Sequence, residues 1–175
     1  MDGLYRRPAV KRRLVEIAEQ TVGIGVDLGV DGRDAEAVTV SYDWAGDIEG
    51  DSALYFGEID GESSPESIGV DPLTDDAFTI AFRLTVWGFD TAELADEAAI
   101  RVLNGFAQPL RTLRRLIGDA APDTDMPPDG PRSPFDVASC SVSTFEGPFH
   151  NFPQSDGDDY SAAINGFVRC ISNVK

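Results

Sequence analysis

The sequence predicts an α+β fold: a mostly antiparallel β-sheet with two main helices packed on one face, in the order α-β-β-β-α-β-β, broken by long acidic loops. Three observations predict it. Two stretches repeat apolar residues at helical spacing, five shorter stretches have strand-like composition or alternation, and runs rich in Gly, Pro and Asp separate them. Helices on one side of a sheet let both kinds of amphipathic element bury their apolar sides in two layers. The 175 residues suit one domain spanning residues 1–175, and a fold of that length buries roughly 70% of its unfolded surface without staples.

The first helix starts near Pro8, because a first helical residue tolerates proline. Val10, Leu14, Ile17, Ala18 and Val22 then share one side over about four turns, and Gly23 and Gly25 end it. Ala37 to Asp43 alternates, with Val38, Val40 and Tyr42 on one face. Ala53 to Ile59 is a second, weaker strand. The strongest runs from Ala77 to Phe89: Phe78, Ile80, Phe82, Leu84 and Val86 point one way, Thr79, Arg83, Thr85 and Trp87 the other. Asp90 is placed to cap the next helix, with Glu93 positioned to reach back. That helix carries Leu94, Ala95, Ala98, Val102, Phe106, Leu110, Leu113 and Ile117 on one stripe and extends to Gly118. Pro109 should kink or divide it, and Arg111, Arg114 and Arg115 complement its C-terminal dipole. A Pro-rich linker over about residues 121–134 follows, where Pro122, Pro127, Pro128 and Pro131 forbid a central strand or helix. Phe135 to Phe145 and Tyr160 to Val174 are the last strands, the second with Tyr160, Ala162, Ile164, Val168 and Cys170 in phase. A long hairpin loop from Gly147 to Asp159 joins them.

Charge is distributed unevenly. Fourteen basic residues against thirty-one acidic ones leave a net −17, which disfavours nucleic-acid binding because such binding depends on Lys and Arg displacing the counterions condensed on its phosphates. Residues 1–20 carry a basic surplus, whereas Asp27 to Asp76 holds fifteen acids against Arg33 alone. Within it, about residues 44–76 form an acidic loop region, since glycine-rich, highly charged stretches lie on the surface. The alternative account of the acid excess is solubility or adaptation to high salt.

Two helices cover only one face of a sheet. Trp87, Phe167 and Ile171 fall on the other, and large apolar groups there point to a partner surface. The alternative is that the acidic loops or the Pro-rich linker fold over them.

Active-site chemistries find little support. No apolar run approaches the roughly 20 residues of a membrane span, and the basic N-terminal stretch lacks the apolar core of a secretory signal. Two cysteines exclude a disulfide scaffold and a four-cysteine zinc site, and one histidine excludes His-rich metal sites. His150 has no second ligand beside it in the sequence. Asp156-Gly157-Asp158-Asp159 lacks the spacing of an EF-hand loop. Gly23-Ile24-Gly25-Val26-Asp27 follows a helix rather than a strand and lacks the lysine of a phosphate loop. Ser139, Ser141 and Ser143 alternate on a strand without a nucleophile elbow. Cys140 and Cys170 lie on strands expected to pair across the final hairpin. A bridge there would contribute about 3–4 kcal/mol, but two buried thiols are expected in a reducing compartment. No catalytic residue, metal site or cofactor is expected, nor enzymatic activity.

A set of short phrases carries a resemblance. Thr39-Val40-Ser41-Tyr42 is followed by an acidic loop reaching Glu66-Ser67-Ile68-Gly69, then Phe78-Thr79-Ile80-Ala81-Phe82 and Asp90-Thr91-Ala92-Glu93-Leu94-Ala95. Gly147-Pro148 and Tyr160-Ser161-Ala162 close the series. Together with the element order, they resemble the tail terminator proteins of long-tailed, siphovirus-type bacteriophages, especially those of actinobacterial hosts. The resemblance covers most of the chain and rests on no catalytic signature. It implies a structural virion protein forming a ring, usually of six copies, that caps the tail tube, ends its polymerisation and meets a head-side connector or stopper. The location implied is the tail-neck region, after assembly in the host cytoplasm, with no membrane partner. DNA would pass without specific binding, Trp87, Phe167 and Ile171 would form the subunit interface, and Asp47, Glu49 and Asp51 or Glu58, Asp60 and Glu62 would line the channel. Another neck protein, a stopper or adaptor, and a stand-alone acidic binding domain or enzyme are the alternatives.

Carboxylates around a bore would repel a passing polyanion. Replacing these acids by lysine is expected to slow or stall DNA ejection; unchanged ejection and infectivity would count against a channel role.

Overall fold

A computed structural model describes residues 6–44, 52–61, 74–112, 137–151 and 159–174. They form a mixed α+β fold with two α-helices and one five-stranded sheet. Helix α1 (Arg6–Thr21) runs into a 3₁₀ turn (Val22–Ile24), and strands β1 (Thr39–Ser41), β2 (Ala53–Asp60) and β3 (Thr74–Phe89) follow. Helix α2 (Ala92–Thr112) then leads to β4 (Val137–Asn151) and β5 (Tyr160–Val174). The sheet order is β1-β2-β3-β5-β4. Its β2–β3, β3–β5 and β4–β5 pairings are antiparallel, while β1 lies parallel to β2.

Period-two alternation sets the two sides of the central strands. Phe78, Ile80, Leu84 and Val86 of β3 lie opposite Cys170, Val168, Ile164 and Ala162 of β5, and all eight are buried. Phe82 lies opposite Gly166, where a Cβ would stand 2.5 Å from the Phe82 ring. Glycine there makes room for the aromatic side chain. Against this side α2 packs Ala95, Ala98, Val102, Phe106 and Leu110, and α1 contributes Val10, Leu14, Ile17 and Ala18. The Phe106 ring meets Phe56 of β2 edge-on at 5.5 Å between centroids and Phe82 at 6.2 Å, so one side chain joins α2 to two strands.

Several local expectations need correction. The Thr91 hydroxyl accepts the Leu94 amide at 3.2 Å and α2 begins at Ala92, so Thr91, not Asp90, caps the helix. Pro109 lies inside α2, which continues to Thr112, so of the expected kink or division the division does not occur there. Strand β1 is shorter than Ala37 to Asp43. Glu36 is drawn into a bridge with Val26, and Asp43 makes a turn in which its carbonyl accepts the Ser41 hydroxyl and its carboxylate the Trp44 amide. Strand β4 runs on through Gly147–Asn151, expected to be loop; a register shift between Glu146 and Phe149 accommodates Gly147 (φ 111°) and the cis Gly147–Pro148 bond. The expected helix end at Leu113, Ile117 and Gly118, the Pro-rich linker and most of the acidic loop lie outside the described residues.

Arg33 and Lys11 are among the cations that serve the fold. Arg33 donates to the carbonyls of Gly88 and Trp87 and pairs with Glu36, which also accepts the Ser52 hydroxyl. This ties the 33–36 segment to the end of β3. Lys11 of α1 is buried, with its ammonium 4.1 Å from the Tyr42 ring centroid. Burial holds its pKa below the ordinary lysine range, partly offset by the attraction of Asp43.

Phe106→Ala is expected to cost about 3–5 kcal/mol by opening a cavity between helix and sheet, read as a lower urea midpoint; a change within error would refute the joining role. The lowered Lys11 pKa gives a second expectation. The unfolded chain binds this proton more tightly, so the folded state gains stability as pH rises from the depressed value towards the unfolded value near about 10.4. Lys11→Met removes that gain. The wild-type urea midpoint should rise relative to the variant's between neutral pH and that range, whereas a constant difference would contradict the assignment.

Candidate functional site

The side of the sheet turned away from the helices carries the residues that alternate with the core. From Ala77 to Thr85 on β3 and from Ala163 to Ile171 on β5, the facing pairs are Ala77–Ile171, Thr79–Arg169, Ala81–Phe167, Arg83–Asn165 and Thr85–Ala163. These ten positions hold two arginines and no acid, in a chain where acids outnumber bases thirty-one to fourteen. The middle of this open side is thus apolar and cationic on an otherwise acidic protein.

A groove of about 580 Å³ runs over it, floored by Gly57 and Ala81 and lined further by Trp44, Arg83, Thr144, Phe145, Glu146, Asn165 and Phe167. Small residues in the floor leave the depth, and aromatic groups form opposite walls. On one wall Trp44, 56% exposed, leans on Tyr55 at 5.7 Å between centroids. The Arg83 guanidinium sits over Trp44 at 5.1 Å, a distance at which a cation is drawn to the ring face. The Arg83 Nε is shut off from solvent with no hydrogen-bond partner among the described residues. On the other wall Phe167 is 46% exposed opposite Ala81. Its carbonyl accepts the Ser143 hydroxyl at 3.2 Å, fixing the place where β4 shifts register between Val142 and Thr144. Phe149, on β4 opposite Ala163, is exposed further along.

The three apolar residues read from the sequence do not form one patch. Phe167 stands at the groove. Ile171 is half-buried opposite Ala77, and Trp87 is half-buried where β3 shifts register between Val86 and Phe89. Ala77 and Trp87 are ten residues apart along β3, about 33 Å at strand rise, so Ile171 and Trp87 lie towards opposite ends of the sheet. Trp87 is further committed to its own chain: its carbonyl accepts Arg33, and its indole nitrogen is shut off from solvent. Of the groove residues only Phe167 was singled out from the sequence; Arg83, Phe145 and Trp44 were missed as site residues, Trp44 for a local reason. Alternation places it with Tyr42, which lies over Lys11 of α1, but the Asp43 turn brings it against Tyr55 instead.

Of the acids read as channel lining, Glu58 and Asp60 are exposed on β2. Glu58 falls within the register shift between Phe56 and Ile59, and Asp60 lies opposite Thr79, in a shallow pocket of about 300 Å³ shared with Arg169. Asp47, Glu49, Asp51 and Glu62 lie outside the described residues. His150 reaches α2, its Nε2 2.5 Å from the Asp96 carboxylate. Among the described residues no group of three His, Cys, Asp or Glu side chains could hold a metal ion, and no helix is long and apolar enough to cross a membrane.

No protein family matches the chain, and no curated protein is significantly similar to it.

Proposed function

We propose that this protein is a ring-forming structural protein of the phage tail-terminator kind, whose copies associate through the open side of the sheet. The observation that carries the proposal is that side itself: exposed aromatic walls, and two arginines with no acid among the facing β3 and β5 positions, on a chain of net charge −17. Exposed apolar surface of this kind favours a protein partner. A second copy is the partner whose charge suits it, because most of each copy's surplus charge is negative. A contact between this side and a different surface of the next copy is heterologous and closes into a ring when the rotation allows.

In this proposal the ring, of six copies, sits in the tail-neck region of a virion, meets the tail tube protein on one side and a head-side connector or stopper on the other, and performs no catalysis. Its net negative charge lets DNA pass without adhering. Glu58 and Asp60, with Asp47, Glu49, Asp51 and Glu62, are the proposed channel acids.

The test mixes the purified chain with tail tubes and scores caps by negative-stain electron microscopy. Caps at one end only are expected. Phe167→Ser and Arg83→Glu should each weaken self-association by about tenfold or more, as truncation of a central interface residue does, measured by sedimentation equilibrium and by cap counts. Tubes that stay uncapped by the unaltered chain, or variants that cap as well as it does, would overturn the proposal.

A further inference from the structure

Cys140 of β4 and Cys170 of β5 are direct cross-strand partners on the helix-facing side of the sheet. Both are free thiols, buried at 3% and 0% exposure. They are the only two cysteines in the chain. Residues facing each other on antiparallel strands have Cα atoms about 4.5–5.5 Å apart, within the span of roughly 4.4–6.8 Å that a disulfide bridges. On the other side of the same two strands stand Thr144, Glu146, Asn165 and Phe167, which line the groove. β4 has no strand on its outer edge in the described sheet.

We infer that Cys140 and Cys170 are a dithiol–disulfide modification site, an internal latch whose oxidised form clamps β4 to β5 and fixes that wall of the groove. The chemistry is disulfide exchange with a small-molecule disulfide such as oxidised glutathione. One cysteine thiolate attacks a glutathione sulfur, forms a mixed disulfide and expels the first glutathione thiolate. The second cysteine thiolate attacks the protein sulfur of that mixed disulfide, closes the Cys140–Cys170 bond and expels the second. Two protein thiols lose two electrons, the small disulfide gains them, and the two protons end on the two glutathione thiols.

Burial makes the latch slow. The hydrogen bond with Cys140, then burial, then the nearby charge of an ionised Cys140 push the Cys170 thiol far above its ordinary pKa, so the attacking thiolate is scarce while the strands stay closed. Opening of the β4 edge exposes the pair and sets the rate. With no third cysteine to compete, the bond closes within one chain.

The test equilibrates the full chain with oxidised glutathione, with and without sub-denaturing urea, then traps free thiols by alkylation for mass spectrometry. Expected are simultaneous loss of alkylation at both cysteines, a mass lower by two hydrogens, a cross-linked peptide joining Cys140 to Cys170, and faster closure in urea. Amide exchange on β4 should slow by roughly 100-fold in the oxidised chain if opening there is coupled to loss of the hairpin. Cys140→Ser and Cys140→Ala, compared by amide exchange in the reduced state to verify folding, should show no internal link. Full alkylation of both thiols at equilibrium even in urea would overturn the inference. So would links between two chains on a non-reducing gel, or faster β4 exchange after oxidation.

Discussion

The long antiparallel ladder between β3 and β5 is the constraint from which the rest of the architecture follows. It pairs residues from Thr74–Val174 to Phe89–Tyr160, and its alternation assigns every side chain along it to one side or the other. One side is filled by Phe78, Ile80, Phe82, Leu84 and Val86 with their β5 partners; that apolar strip holds α2, while α1 packs beside it against β1, β2 and α2. Because both helices lie on that side, the residues in between have no helical layer among the described residues. A slip of one residue would exchange the two sides, placing Arg83, Arg169 and Asn165 under the helices. The core thus fixes the composition of the open side.

The open side is also where the charge balance changes. Most of the chain's excess carboxylate lies between Asp27 and Asp76, whereas the middle of the ladder presents Arg83 and Arg169 around Phe167. A cation beside exposed aromatic groups retains some Coulomb reach over a Debye length of about 8–10 Å, enough to favour an acidic partner at short range without reversing the repulsion of nucleic acid by the whole chain. Arg83 is held in place by the Trp44 ring, and Trp44 by Tyr55 beneath it. The cation would therefore not have to be ordered on contact with the proposed partner, which would lower the entropic cost of binding.

Strand periodicity made much of this fold legible in the sequence. Tyr160–Val174 and the core side of β3 follow directly from alternation, since each contains a long uninterrupted period of two. Legibility fails where the ladder shifts register. Alternation assigned Phe167, Ile171 and Trp87 to one side, but parity carries no information about distance along a strand, and the three are spread from the middle of the sheet to its ends. The Thr91 cap and the Asp43 turn depend on which of two adjacent polar residues turns its side chain back to the backbone. Composition does not distinguish them, which is why Trp44 was missed. The groove is formed by β1's exit and by β4, elements distant in sequence, so no local pattern announces it.

The strand edges bear on why the proposed assembly uses a face rather than an edge. β1 is three residues long and offers little template for another strand. β4 is fifteen residues long, a length that invites pairing, but its ladder with β5 shifts register between Val137 and Ser139, between Val142 and Thr144, and between Glu146 and Phe149, with Pro148 in the last shift. Bulges and proline are devices that blunt an exposed edge. β4 is meanwhile tied inward by the Ser143 hydroxyl to Phe167, by His150 to Asp96 and by the Cys140–Cys170 contact. An edge so interrupted pairs poorly with a second sheet, yet the same shifts turn Thr144, Glu146 and Phe149 towards the partners on β5 that border the open side. The features that discourage open-ended strand addition therefore also build one wall of the groove, so the association proposed above would fall on a surface whose extent the fold limits.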